Sequence, residues 1–141
     1  MSESDLLIVT CGTAIGETEW TINGRFTGIS EIDITELGRK QVTATGDKLV
    51  GPSKLIDPRK IARIWVSPRK RAQDTFQMVF REQIGDPGFT DKVITTDDIR
   101  EWDYGDYEGL KIGEIRELRR MKGLDQDHEY SVWKDGCQGG E

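Results

Sequence analysis

Cysteine is scarce in this 141-residue chain: Cys11 and Cys137 stand near opposite ends, which excludes a disulfide framework and a zinc cluster. Reduced thiols follow. Long apolar runs are also lacking. The longest, around Leu6 to Val9, falls far short of the ~20 residues that a membrane-spanning helix needs. The opening Met1-Ser2-Glu3-Ser4-Asp5 carries none of the basic residues that begin a signal peptide, so a cytoplasmic protein is expected. Positive charge is in deficit, with 20 Lys and Arg against 26 Asp and Glu and a net charge of −6. That balance argues against nucleic acid or a membrane surface as partner, because both call for a positive face. Any anion site must be local. Histidine is rarer still: the one present, His128, lies in the polar stretch Asp125-Gln126-Asp127-His128-Glu129-Tyr130, which reads as exposed loop. No metal or cofactor is expected.

What the chain does contain is enough for one folded domain over residues 1–141. Hydrophobic residues make up 35%, including four Trp, four Phe and three Tyr to bury. Leu6-Leu7-Ile8-Val9 suits a strand running into a loop at Gly12. Residues 35–49 place Leu37, Val42 and Leu49 at near-helical spacing, with Thr35 and Glu36 favouring the helix start and Gly38 and Gly46 weakening the interior. Ile61–Val66 reads as a second strand that stops at Ser67-Pro68, the proline being placed to begin a helix over 69–80 with Ala72, Phe76 and Val79 on one face. Val93-Ile94-Thr95 is a third strand, and 112–121 a third helix with Ile115 and Leu118 inward. The alternation predicts a parallel α/β sheet with helices on its faces. Three short strands leave sheet edges unpaired, and residues 131–141 read as a loop on its way into another element, so a truncated domain is expected. Self-association through an unpaired edge would be one outcome.

Ligands of parallel α/β folds gather at the carboxyl ends of strands, which directs attention to the three segments that follow them. The first, 10–28, is glycine-rich and can offer backbone N–H groups to an anion. The second, Ser67-Pro68-Arg69-Lys70-Arg71-Ala72, sets three cations at a helix N-terminus, where the helix dipole opposes them unless an anion compensates. The third, residues 100–109, alternates acidic and aromatic side chains, and a carboxyl group there can serve as acid or base.

Taken together, these segments resemble the histidine phosphatase, or phosphoglycerate mutase-like, superfamily. The motifs that carry the resemblance are Gly16-Glu17-Thr18-Glu19-Trp20, Asn23-Gly24-Arg25-Phe26-Thr27-Gly28, Leu37-Gly38, Ser67-Pro68-Arg69-Lys70-Arg71-Ala72 with Thr75, and Arg100 through Gly109. That last run, with Glu114-Ile115-Arg116-Glu117-Leu118-Arg119 and Trp133-Lys134-Asp135-Gly136-Cys137, is most similar to sedoheptulose-bisphosphatase-like sugar phosphatases. The resemblance implies a three-layer α/β/α fold with a mainly parallel sheet, here stopping before the family's C-terminal strands. It also implies a phosphorylated sugar or other small phosphate ester as ligand. In the family a histidine of an Arg-His-Gly motif attacks phosphorus, an arginine holds the phosphoryl oxygens and a glutamate protonates the leaving oxygen. By motif position Arg71 matches the arginine and Glu101 the general acid. Phe26, Thr27, Gly28, Trp102, Asp103, Tyr104 and Asp106 match the substrate-facing surface. These roles are physically sensible: a fixed guanidinium offsets charge on the equatorial oxygens, and a carboxyl group among aromatics can stay protonated.

The departure from the family pattern lies in the first segment. With Gly16 as the family glycine, the Arg-His position holds Ala14 and Ile15. In the alternative register Thr10 and Cys11 stand there, at the expense of extra residues before Glu17. The histidine is absent either way. Cys11 makes a poor substitute, because an activated thiol needs a nearby cation and the residue six beyond it is Glu17. The expectation is a catalytically defective family member with residual phosphate-ester binding. Two alternatives stand beside it: an active sugar phosphatase whose sequence is misread at the first motif and the C-terminus, and an interaction module that uses an exposed sheet edge.

Overall fold

A computed structural model describes residues 5–9, 16–124 and 127–141. Thr10, Cys11, Gly12, Ala14 and Ile15, on which both registers of the first motif turn, lie outside the described residues. In chain order the elements are β1 (Asp5–Val9), α1 (Glu19–Ile22), α2 (Glu36–Leu49), β2 (Ile61–Val66), α3 (Lys70–Val79), α4 (Pro87–Thr90), β3 (Val93–Thr95), α5 (Ile112–Met121) and α6 (Val132–Asp135). Among the described residues no helix is long and apolar enough to cross a membrane. The elements gather into two compact units, one formed by Met1–Thr18 and Asp33–Arg100, the other by Glu19–Ile32 and Glu101–Glu141.

The first unit is built on the parallel sheet that the alternation of patterns predicts. Its strand order is β1-β2-β3, and both pairings are parallel. Right-handed connections stepping in one direction place their helices on one face of a sheet, and α2 and α3 do pack against each other. Val9 pairs with Val66, and Val66 with Thr95, so the three strands end level and their following segments leave from one edge. Beneath that edge Ile64 and Val66 are fully buried, with Ala72, Phe76, Phe80 and Phe89 around them. The three phenylalanine rings lie 5.2 to 6.3 Å apart, within the range where aromatic pairs contribute beyond area burial alone.

Helix α2 forms where its spacing predicts, capped by the Thr35 hydroxyl accepting from the Gly38 N–H at 3.0 Å, but its buried face is not the expected one. Leu37 is 55% exposed, and the inward stripe is Gly38, Val42 and Gly46 at intervals of four. The reason is close approach of backbones. A Cβ on Gly38 would lie 2.5 Å from the Glu17 carbonyl oxygen, and one on Gly46 would lie 2.7 Å from that of Val79. The glycines that weaken this helix as a local element are the ones that let it pack. Helix α3 differs by one position: Arg69 caps it, so Pro68 precedes the helix rather than opening it.

The second unit has its own core of Tyr107, Ile115, Tyr130 and Cys137, against which Leu118 packs as its spacing predicts. Its buried phenol is satisfied: Arg119 donates to the Tyr107 hydroxyl at 3.0 Å while its guanidinium sits 4.5 Å from the Tyr130 ring centre. Residues 131–141, expected as loop, contain the short helix α6 and then turn back. There the Glu141 N–H donates to the Asp103 carbonyl at 2.9 Å and the Asp106 N–H to that of Gln138 at 2.8 Å.

If backbone contact governs the α2 face, Gly46→Ala should destabilise the protein. Helix propensity favours alanine by up to about 1 kcal/mol, but overpacking costs roughly 1–3 kcal/mol, so urea denaturation should register a net loss. A stabilised variant would contradict this packing.

Candidate functional site

Arg71 lies in the first unit, in the segment that leaves the sheet after β2. Ser67 is fully buried there and fixes the turn: its carbonyl accepts from the Gln73 amide at 2.7 Å, and its hydroxyl accepts from the Arg69 N–H at 3.4 Å. The Thr96 N–H donates to Val66 beside it, tying the segments after β2 and β3 together. Arg71 and Thr75, one helical turn apart, are both only 3% exposed. Burial of a guanidinium beside a strand end is what a fixed anion-holding group requires.

The other two cations at this helix start differ from it. Lys70 is half exposed and pairs with Asp33 and, at 3.0 Å, with Asp74. The protein's own carboxylates therefore supply the anion that the sequence pattern calls for at Lys70, and the Lys70 ammonium holds Asp33 below the usual carboxylate range. The Gly16-Glu17-Thr18 motif lies in the same unit. Thr18 bridges to Ile34, and the Thr35 N–H donates to the Glu17 carbonyl at 2.8 Å, seating the motif against the start of α2.

The remaining expected site residues, Phe26, Thr27, Gly28, Glu101, Trp102, Asp103, Tyr104 and Asp106, all fall in the second unit. Phe26 and Tyr104 meet edge to face at 4.9 Å. Glu101 Oε1 accepts from the Trp102 N–H at 3.0 Å and lies 3.4 Å from the Tyr104 hydroxyl. Burial, with Glu101 next, pushes the Tyr104 phenol up to about 12. Trp102 meets the exposed Trp133 at 5.3 Å. Thr27 donates to the Arg25 carbonyl at 3.1 Å. Asp103 turns its carboxylate onto the Gly105 N–H at 2.9 Å, while Asp106 is exposed beside Gly139. Gly28 is buried, and a Cβ there would stand 2.0 Å from the Trp102 carbonyl oxygen.

Sequence reasoning missed Glu108. Its carboxylate accepts from the Gly28 N–H through both oxygens, at 2.9 and 3.0 Å, and from the Ser30 N–H at 3.0 Å. An acidic residue in an acidic, aromatic run gives no local sign of a partner 80 residues away. His128, by contrast, is engaged as a structural group, with Nε2 2.8 Å from Asp135 in the α6 turn. Cys137 is buried, and burial raises its thiol pKa, the opposite of activation. Among the described residues no cluster of acids, histidines or cysteines is arranged to hold a metal. Two clefts of about 190 and 420 Å³ open in the first unit, lined by residues such as Asp47, Arg81, Asp57 and Arg59, and neither includes Arg71.

The model of the histidine phosphatase superfamily (branch 1) matches residues 16–141. The chain belongs to this superfamily. Across 126 residues it is 38% identical to sedoheptulose 1,7-bisphosphatase of Saccharomyces cerevisiae, covering 89% of this chain and 46% of the yeast protein. It is 37% identical to an acid phosphatase of Mycobacterium tuberculosis, again over 89% of this chain and 51% of the relative. The chain thus spans about half the length of these relatives. Among solved structures, an open reading frame product of Mycobacterium tuberculosis superposes with a TM-score of 0.61 at 31% identity, over 96% of this chain and 56% of that one. The α-ribazole phosphatase of Shigella flexneri gives 0.65 at 20% identity, over 96% and 57%, a likeness of fold alone. These histidine phosphatase neighbours share the arrangement of helices on a parallel sheet.

Tyr104, Tyr130 and Cys137 all have raised pKa values in the folded chain. A raised value means that folding holds the proton more tightly. The contribution of Tyr104 is therefore complete below its ordinary value of 10.0 and is lost as pH climbs through about 12. Denaturation between pH 9 and 12 should show falling stability, with a shallower fall in Tyr104→Phe; equal slopes would contradict the burial assigned to this phenol.

Proposed function

We propose that this chain binds a sugar phosphate or similar small phosphate ester and does not turn it over. The observation that carries the reading is where the family match begins. It starts at Gly16, and in either register of the preceding segment, Ala14-Ile15 or Thr10-Cys11, the Arg-His position of the resemblance holds no histidine. Ala14 and Ile15 have no group that could attack phosphorus, and Cys11 has no cation at the position six residues on, where Glu17 stands. Removing a catalytic nucleophile lowers the rate by on the order of a million-fold and leaves only what binding and electrostatics supply. Arg71, buried at the start of α3, would hold the phosphoryl oxygens. Within the second unit, Glu101, beside Trp102 and Tyr104, matches the family's general acid, and Phe26, Trp102 and Tyr104 match its substrate-facing surface.

The sugar-phosphate class rests on the likeness to the yeast bisphosphatase and on the resemblance that the aromatic and acidic run at 100–109 carries. A cytoplasmic setting suits such a ligand and the reduced thiols. Calorimetric titration with a sugar bisphosphate tests the reading: the unaltered chain should bind, Arg71→Ala should bind at least roughly tenfold more weakly, and Arg71→Lys should recover part of the loss by restoring charge without the planar fork. Equal affinity in all three proteins would remove Arg71 from the site, and no binding by the unaltered chain would end the proposal.

A further inference from the structure

Two separate stretches of the second unit, 26–28 and 102–104, carry most of the proposed ligand-facing side chains, and something must fix the gap between them. Gly28 lacks the Cβ that would collide with the Trp102 carbonyl oxygen at 2.0 Å, so the two backbones can lie flush. Glu108 then draws them together. Its carboxylate, on the chain just beyond Tyr104, receives the Gly28 and Ser30 N–H groups at 2.9 to 3.0 Å. On either side the backbone is pinned further, with the Phe26 N–H donating to the Leu110 carbonyl at 2.9 Å and the Gly109 N–H to that of Phe26 at 2.8 Å. Glu101 and Asp103 accept from N–H groups of their own stretch, at Trp102 and Gly105, whereas the Glu108 carboxylate reaches across to those of the other stretch.

The geometry points to Glu108 as a positioning residue that sets the spacing of Phe26 and Thr27 against Trp102 and Tyr104, and so the affinity for the carbon skeleton of the ester rather than for its phosphate. This inference rests on the phosphate-ester reading. It concerns the second unit alone, where Glu108 sets the shape that receives the carbon skeleton.

The test compares Glu108→Leu and Glu108→Gln in the full chain. Leucine removes both acceptor oxygens; glutamine keeps an Oε1 able to accept from both N–H groups. Affinities for a sugar bisphosphate and for inorganic phosphate are measured together with amide exchange at Gly28 and Ser30. Glu108→Leu should bind the sugar bisphosphate roughly tenfold or more weakly, leave inorganic phosphate within about twofold, and speed exchange at both amides, while Glu108→Gln restores all three toward the unaltered values. Unchanged exchange and affinity in Glu108→Leu would overturn the inference. So would an equal loss for both ligands without rescue by glutamine, which marks a purely structural residue. If the unaltered chain binds neither ligand, the phosphate-ester reading fails; amide exchange then decides the clasp, faster exchange in the leucine variant alone supporting it and unchanged exchange overturning it.

Discussion

Both units depend on peptide backbone lying directly on peptide backbone, at places where a single methyl group would not fit. In the first unit Gly38 seats the Glu17 segment and Gly46 seats α3. In the second, Gly28 brings residues 26–30 onto Trp102, where the Glu108 carboxylate can reach their N–H groups. Beside Glu17 and at residues 28–30 hydrogen bonds then fix the local geometry, while at Gly46 the close approach is one of packing. The motifs around these glycines are therefore as much about placing loops as about touching a ligand.

Much of this fold was legible in the sequence because the apolar periods are clear where the sheet and helices form. Ile61–Val66 ends at Ser67 as expected, and Ile112–Met121 turns Ile115 and Leu118 inward. The face of α2 was misjudged for a physical reason: spacing analysis counts apolar side chains, and this helix buries the absence of side chains at Gly38 and Gly46 instead. The turn at 131–141 was read as loop because α6 spans only four residues and its anchoring bonds go to residues near 103–106, which no local pattern reveals. Arg71 and the aromatic residues near Glu101 were singled out through their motifs. Glu108 was not, since its partners are main-chain N–H groups that carry no residue signature.

Charge at the start of α3 shows how one pattern can serve two purposes. Lys70 is neutralised by Asp33 and Asp74, half in solvent, where such pairs add little stability but hold the helix start in place. Arg71, one position on, is buried instead. The resemblance implies a histidine nucleophile in the first segment, where either register, Ala14-Ile15 or Thr10-Cys11, holds no histidine, and the chain's one histidine is engaged with Asp135. On the proposed reading, binding and chemistry are separable in principle, since the segments matched to binding do not include the nucleophile position.

The central claim, that a phosphate-ester site is retained without its chemistry, is tested most directly by measuring phosphate release from a sugar bisphosphate and from an aryl phosphate, with Arg71→Ala as the control for contaminating phosphatase. The account predicts release that is no faster with the unaltered chain than with the variant. Turnover that disappears with Arg71 would contradict it and require another nucleophile, with Cys11 the first residue to replace.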